Sequence, residues 1–378
     1  MRVIVIGSGI AGASTAYQLA RRGVEVVVVD EERPGVATEA GAGIVCPWTS
    51  RAGEDHYRAA SVAAAFYPTL VEWLAEDGIA DSSFEVVGGM VVSAEAGELD
   101  DAYERVTSRA AAEAGEVRRL EPAEARELFP ALAPDLSAIH VAGGARVDGR
   151  RIRRALLAAA AKHGASLVAG RAFLAAGSGL EPTPSASEAA TPKVHVGGDV
   201  LEADKIVIAA GAWSAELVAP LGSSLGVAPQ RGQISHFELS GVDTSSWPVV
   251  LPVSSHYLLA FPGSRVVAGA TRETGSGFDY RVTAAGQREV LEQALAVAPG
   301  LGTATLLETR IGFRPATQDQ LPLLGPLDVN PDVLVATGFG ASGLTLAPFA
   351  GSLIAGLATG ERPPIDVTPY RPGRFAAS

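Results

Sequence analysis

With 378 residues the chain exceeds what one hydrophobic core usually supports, which predicts two domains. Hydrophobic residues make up 47% and charged residues 19%, a balance that excludes a disordered chain and indicates a well-buried globular enzyme. A net charge of −12 argues against nucleic-acid partners and anionic membrane surfaces, and the single cysteine, Cys46, leaves no intramolecular disulfide or thiolate metal cluster and fits a reducing cytoplasm.

The first thirty residues read as a buried strand (Val3 to Ile6), a glycine turn, a helix (about Ile10 to Arg22) and a second buried strand (Val24 to Val29) closed by Asp30. The turn carries Gly7, Gly9 and Gly12 in the G-x-G-x-x-G spacing. Gly7 permits the tight turn, Gly9 lets a pyrophosphate approach the backbone, and Gly12 lets helix pack on strand. The helix N-terminus offers N–H groups and its positive dipole end to phosphates. Asp30, 18 residues after Gly12, stands where an acid accepts from a ribose 2′-OH. The apolar N-terminus thus resolves into strand, turn and helix, with no following segment that looks like a cleavage region.

RPGVATEAGAGIVCPW follows as a glycine-rich loop, then two helical stretches split by Pro68. Phe66, Leu70, Trp73 and Leu74 repeat as a core-facing stripe. Phe84 to Ser93 reads as strand, Asp100 to Glu113 as an exposed helix, and Leu120 to Phe129 as a short helix with Pro122 near its start. Asp148 is placed to cap a helix that runs to Lys162 and ends at His163 and Gly164. Ala175 to Gly198 reads as hairpin loops around VHV, and Lys205 to Ala210 as a buried strand running into GAWS. From Gln230 to Thr271, short strands (ISHFEL, VVLPV, HYLLAF, RVVAGAT) predict a largely antiparallel sheet. A helix (Ala284 to Ala298) separates it from LETRIGFRP. Val333 to Gly360 holds 28 residues without a charge, long enough to span a bilayer, but its glycines and Pro348 favour strand, glycine loop and apolar core helix.

Five segments together resemble the D-amino-acid-oxidase superfamily of FAD-dependent flavoproteins, in its glycine oxidase, sarcosine oxidase and D-amino-acid dehydrogenase branch. They are VIVIGSGIAGASTAYQLARRG; TEAGAGIV; ADKIVIAAGAWS followed by PQRGQ; YLLAFPGSRVVAGATRETGSGFD; and IGFRPATQDQLPLLGP with ATGFGASGLTLAPFAG. The resemblance implies an α/β FAD-binding Rossmann-like domain (1–46, 146–222 and 322–378) and an α+β substrate domain with a mainly antiparallel sheet (47–145 and 223–321). It implies an FAD site that takes in Gly7, Gly9, Ile10, Ala11, Gly12, Asp30, Glu31, Thr38, Glu39, Ala42, Gly43 and Ile44. Phe173 would read the adenine through its backbone, and Ala209, Ala210, Gly211 and Trp213 would lie near the ADP half. Gly340, Ala341, Ser342, Gly343, Leu344 and Thr345 would aim a helix N-terminus at the flavin N1–C2=O edge, where reduced flavin carries negative charge. Close packing at strand–helix junctions is the alternative reading of these small residues.

On the substrate side, Arg314 offers a planar fork for a carboxylate. In the resembling amine oxidases an arginine at this position grips the amino-acid carboxylate, at the edge of the flavin site; a surface ion pair is the alternative, and Arg310 suits that role. Tyr257 matches a tyrosine that points a phenol at the same carboxylate, with strand packing as its alternative. His256 faces the other side of that strand if Tyr257 faces in. Trp48 and Cys46 are candidates for the pocket wall. The six histidines show no metal-ligand spacing, and neither a G-x-S-x-G elbow nor a phosphate-binding GxxxxGK[ST] is present, so no metal is expected. Covalent flavin attachment in some relatives uses a C-terminal cysteine absent here, so FAD is expected to be non-covalent.

The expected reaction is oxidation of the CH–NH bond of a small carboxylated amine by hydride transfer to flavin N5, giving an imine that hydrolyses. Its other partner is O2 or an electron carrier, and a homo-oligomer is compatible with the reading. The rivals are an amine oxidoreductase acting on a larger biosynthetic intermediate, a non-catalytic flavin subunit of a dehydrogenase complex, and an NAD-dependent dehydrogenase.

Overall fold

A computed structural model describes residues 1–109, 112–175, 193–254 and 256–375. Its two large sheets draw on different parts of the chain. The six-stranded sheet has the order Leu323–Leu327, Asn330–Thr337, Lys205–Ile208, Arg2–Ile6, Glu25–Asp30, Ser166–Ala169, all parallel except the first, which forms an antiparallel edge hairpin. The nine-stranded sheet is antiparallel except where Val249–Pro252 runs parallel to Gly89–Ser93. All six strands fall within 1–46, 146–222 and 322–378, and all nine within 47–145 and 223–321.

The parallel strands are apolar on both faces because both are covered. Val3, Val5, Val26, Val28 and Val207 join a core with three helices, Ile10–Arg21, Gly149–Lys162 and Gly343–Thr359. Their alternates Ile4, Ile6, Val27, Val29, Ile206 and Ile208 pack beneath a small antiparallel sheet of Ala172–Ala175, Lys193–Val196 and Asp199–Leu201. The period of two places each set on its own face. On the larger sheet, Phe237, Leu258, Val266 and Ala268 meet Val290 and Ala294 of the helix Ala284–Val297.

Several sequence expectations are corrected. The two helices split by Pro68 are one continuous helix, Glu54–Glu76. Proline removes one intrahelical N–H, but burial of Ala63, Ala64, Tyr67, Leu70 and Leu74 on one side keeps the helix whole. The loop after Asp30 contains a helical turn, Ala37–Ala40, and a short strand, Ile44–Val45. Phe84 to Ser93 divides into Glu85–Val86 and Gly89–Ser93. The helix expected from Asp100 starts at Ala96 and is described as far as Arg109; residues 110 and 111 lie outside the described residues. Val117–Leu120 is strand, after which Glu121 and Glu124 form a capping box for Pro122–Leu128. The hairpin loops expected between Ala175 and Gly198 fall largely on residues 176–192, outside the described residues.

Asp148 does cap the helix Gly149–Lys162, accepting from the Arg150 and Arg151 N–H groups. His163 ends it, with its ring 2.8 Å from Asp77. The segment Gly340–Thr359 is long and apolar enough to cross a membrane, yet 67% of its 18-residue apolar window is buried inside the protein, where it packs on the fingerprint helix and the helix Glu54–Glu76.

Candidate functional site

A cavity of about 280 Å³ runs from the parallel sheet to the antiparallel one. At its first end, Gly7, Gly9, Ile10, Ala11, Asp30 and Glu31 form the wall. Gly12 lies behind it: a Cβ there would stand 1.8 Å from the Gly7 carbonyl oxygen, so only glycine lets helix and turn meet. Asp30 is held by Ser8, whose N–H (3.1 Å) and hydroxyl (2.6 Å) both donate to its carboxylate. Glu31 pairs with Arg33 at 2.7 Å, and that guanidinium lies 5.5 Å from the centre of the Trp213 ring. Thr38 accepts from the Ile10 N–H at 2.9 Å and so clamps the turn Ala37–Ala40 to the fingerprint helix.

Phe173, Ala209, Ala210, Gly211 and Trp213 line the same end. The Phe173 ring is exposed beside Arg171, and its backbone sits on the open-edge strand of the small sheet. Trp213 stacks on Phe278, with ring centres 4.8 Å apart, and both meet Phe313 edge-on. Ala42, Gly43 and Ile44 carry the wall onward to Gly340, Ala341, Gly343 and Leu344. Ser342 and Thr345 do not face the cavity but brace its rim. The Ser342 hydroxyl lies 3.0 Å from His56 Nε2, and Thr345 donates to the Ile44 carbonyl at 2.8 Å. Tyr67 donates to the Leu344 carbonyl. His56 and Tyr67 are three turns apart on the same helix, both ahead of Pro68, so one rigid element carries both braces. Glu39 is also off the wall, its carbonyl accepting from Arg150 at 3.0 Å.

Two helix N-termini, those of Ile10–Arg21 and Gly343–Thr359, open on this one cavity, and neither cap residue makes a side-chain capping bond. Their first-turn N–H groups and dipoles favour negative charge at both places. That donor set fits FAD, whose pyrophosphate is anionic and whose isoalloxazine gains negative charge on reduction.

At the other end, Tyr257 and Arg314 project from neighbouring parts of the antiparallel sheet into the cavity. Arg314 donates from Nη1 to the Thr271 carbonyl at 2.9 Å, and its guanidinium lies over Gly232, where a Cβ would come within 2.6 Å. Tyr257 lies over Gly269 in the same manner, its hydroxyl 2.6 Å from the position of a Cβ. Each substrate-side candidate therefore rests on a glycine of the paired strand. Burial pushes the Arg314 guanidinium down and the Tyr257 phenol up, and each offsets the shift of the other. His256 turns away, with Nε2 3.4 Å from Glu289 on the helix Ala284–Val297. Arg310 is an ion-pair residue, donating to Glu308 at 2.8 Å.

Cys46 and Trp48 are not in the wall. The strand Ile44–Val45 pairs with Ala145–Arg146 and carries the chain away, leaving both side chains buried in the helical core. Arg272 is a charged wall residue that sequence reasoning missed, as are Arg33, Arg171 and Glu216. The place of Arg272 in ATRET, three residues past the end of the strand Arg265–Gly269, was the available signal. Among the described residues no cluster of metal-ligating side chains is found.

The chain is similar to known proteins along nearly its whole length. The family model described as FAD dependent oxidoreductase (DAO) matches residues 2–357. The chain is 44% identical to the "Uncharacterized oxidoreductase YurR" of Bacillus subtilis and 30% identical to a glycine oxidase of Pseudomonas putida, covering 98% of both partners in each case. Among solved structures it is similar to iminodiacetate oxidase (IdaA) from Chelativorans sp. BNC1, with a TM-score of 0.93 and 46% identity over 98% of this chain and 99% of that one.

Proposed function

Because this chain belongs to the family of FAD-dependent oxidoreductases, we propose that it oxidises the CH–NH bond of a small amino acid or N-methylated amino acid. Arg314 is the observation that carries this reading: a half-buried guanidinium without an ion-pair partner among the described residues, facing the cavity beside a phenol. A buried cation without a counter-charge is costly, and a ligand carboxylate relieves that cost through two parallel charge-assisted bonds. The similar glycine oxidase and iminodiacetate oxidase are named for carboxylated amines, which supports the same substrate chemistry.

FAD, when bound, supplies the two-electron acceptor for this oxidation. Gly7, Gly9, Ile10, Ala11, Thr38 and the N–H groups of the fingerprint helix would hold its pyrophosphate, with Asp30 and Glu31 toward the ribose. Gly340 to Leu344 would face the flavin ring. Cys46, the single cysteine, is buried off the wall, so we expect the cofactor to be held without a thioether link.

Arg314 and Tyr257 fix the carboxylate and thereby orient the adjacent CH–NH bond, and orientation of this kind supplies much of the rate. Among the described residues the cavity end offers no free general base. Glu273, the nearby carboxylate, already accepts from Arg231, Gln233 and Thr271 at 2.6 to 2.7 Å. The amine therefore reacts in its neutral form, its proton having gone to water, and the imine product is hydrolysed to an oxo acid and an amine.

The test is anaerobic bleaching of the yellow holoenzyme by glycine, sarcosine, proline, iminodiacetate and a panel of D-amino acids. We expect at least one to bleach it, and Arg314→Ala to raise KM for that compound by about tenfold or more. An unchanged KM removes Arg314 from the role, and no bleaching by any of the panel refutes the small-substrate reading.

A further inference from the structure

We propose that Arg272 receives a second carboxylate, so that the preferred substrate is a secondary amine carrying two acid groups, one on each side of the nitrogen. The proposal rests on the reading of Arg314 as the holder of the first carboxylate. Arg272 directly follows Thr271, the buried residue whose carbonyl anchors Arg314, so one stretch of backbone fixes where both guanidiniums start. Both line the cavity, Arg314 half-buried and Arg272 exposed to solvent.

They are close enough for each to act on the same neighbours. Arg272 disfavours the charge on Arg314, and both cations act on the Tyr257 phenol and on the His256 ring. Among the described residues neither makes an ion pair, and Glu273, the carboxylate in their field, is saturated by Arg231, Gln233 and Thr271. A chain with net charge −12 thus gathers two uncompensated cations at one end of its cavity. Like charges held together without counter-charge raise the free energy of the empty site, and one dianionic ligand relieves both at once. A single-carboxylate amine satisfies only Arg314.

The reacting bond is that of the parent proposal. Two electrons and two protons leave CH–NH, the electrons passing to FAD, and water cleaves the imine to an oxo acid and an amine that keeps the second carboxylate at Arg272.

The test uses the holoenzyme and two ethers that cannot form an imine: oxydiacetate, with two carboxylates, and methoxyacetate, with one. Dissociation constants are measured by calorimetry and by the change in the visible spectrum. We expect oxydiacetate to bind about tenfold to a hundredfold more tightly, from one extra charge-assisted pair. Arg272→Ala should bring the ratio of the two affinities close to one, and Arg272→Lys should restore part of it. Equal affinities in the unmodified enzyme, or a ratio that Arg272→Ala leaves intact, overturn the proposal. Arg314→Ala separates the two claims. If methoxyacetate binding does not respond to it, the parent reading fails; if it responds but no dicarboxylate preference exists, only Arg272 loses its role.

Discussion

Gly232→Ala is a perturbation of one methyl group that should leave the fold intact and impair the substrate end. The strand residue has ordinary extended backbone, which alanine adopts without strain. Its Cβ would stand 2.6 Å from Arg314 Nη2 and 2.7 Å from Cζ and Nη1. Ordinary contact begins at 3.4 Å, so the guanidinium must retreat by about 0.8 Å. The obstacle is the far end of a flexible side chain, and the retreat stretches its 2.9 Å bond to the Thr271 carbonyl rather than the backbone. Misplacement of a positioning group by about 1 Å costs about a hundredfold. We therefore expect KM for the amine that bleaches the wild-type flavin to rise tenfold to a hundredfold. The melting temperature and the FAD-to-protein ratio should stay within error of wild type. Steady-state kinetics with both controls decides the matter. Unchanged KM in a variant that retains its flavin refutes the claim that Arg314 works from its seat above Gly232.

Gly12→Ala places a Cβ 1.8 Å from the Gly7 carbonyl oxygen, which is backbone and cannot swing aside. We expect loss of bound FAD together with a lower melting temperature, the overpacking alone costing about 1–3 kcal/mol; a yellow, normally stable variant would contradict it. Asp148 joins the helix Gly149–Lys162 to the antiparallel sheet through Arg265 at 2.9 Å. Burial pushes its carboxyl up, but Arg265 and the Arg150 and Arg151 N–H groups outweigh burial and hold it below the usual carboxylate range. A folded value below the unfolded one, about 3.9, means that its stabilisation is complete above that pH and fades as pH falls through the folded value. The gap in melting temperature between wild type and Asp148→Asn should be wide at pH 7 and narrow below pH 4; a gap that ignores pH would be evidence against the pair. Burial pushes the Cys46 thiol up to about 12, so a thiol reagent at pH 8 should leave the native protein unlabelled and modify one site after denaturation. Labelling of the native protein within minutes would show the thiol to be accessible.

The legible parts of the sequence were those where local chemistry and tertiary role coincide. Gly7, Gly9 and Gly12 announce a turn that the backbone needs for steric reasons, and Asp148 announces a cap. Arg314 could be singled out because its guanidinium suits a carboxylate and its place in GFRP matches the resembling amine oxidases. Pro68 misled because propensity is local while the burial of Tyr67, Leu70 and Leu74 is not. Gly232 and Gly269 looked like sheet glycines, and only strand register reveals that they seat Arg314 and Tyr257. Arg272 was hidden for a related reason. What marks it is the absence of a partner, and partners are properties of the folded chain. Cys46 and Trp48 were placed by proximity to a wall loop, which the pairing of Ile44–Val45 with Ala145–Arg146 turns inward.

The strand order of the parallel sheet also governs when the protein can first exist. Arg2–Ile6 pairs with Lys205–Ile208, which pairs with Asn330–Thr337, and the rim bond from Thr345 to Ile44 spans 301 residues. At about 5–20 residues per second, the fingerprint unit waits roughly 15–65 s on the ribosome before its last wall arrives. Through that interval its valine-rich strands stand with open edges and uncovered faces, and the nascent chain has no finished pocket for a cofactor. Synthesis of this enzyme should therefore depend on holding factors more than its final stability suggests, and on free FAD only once the C-terminal helix has emerged.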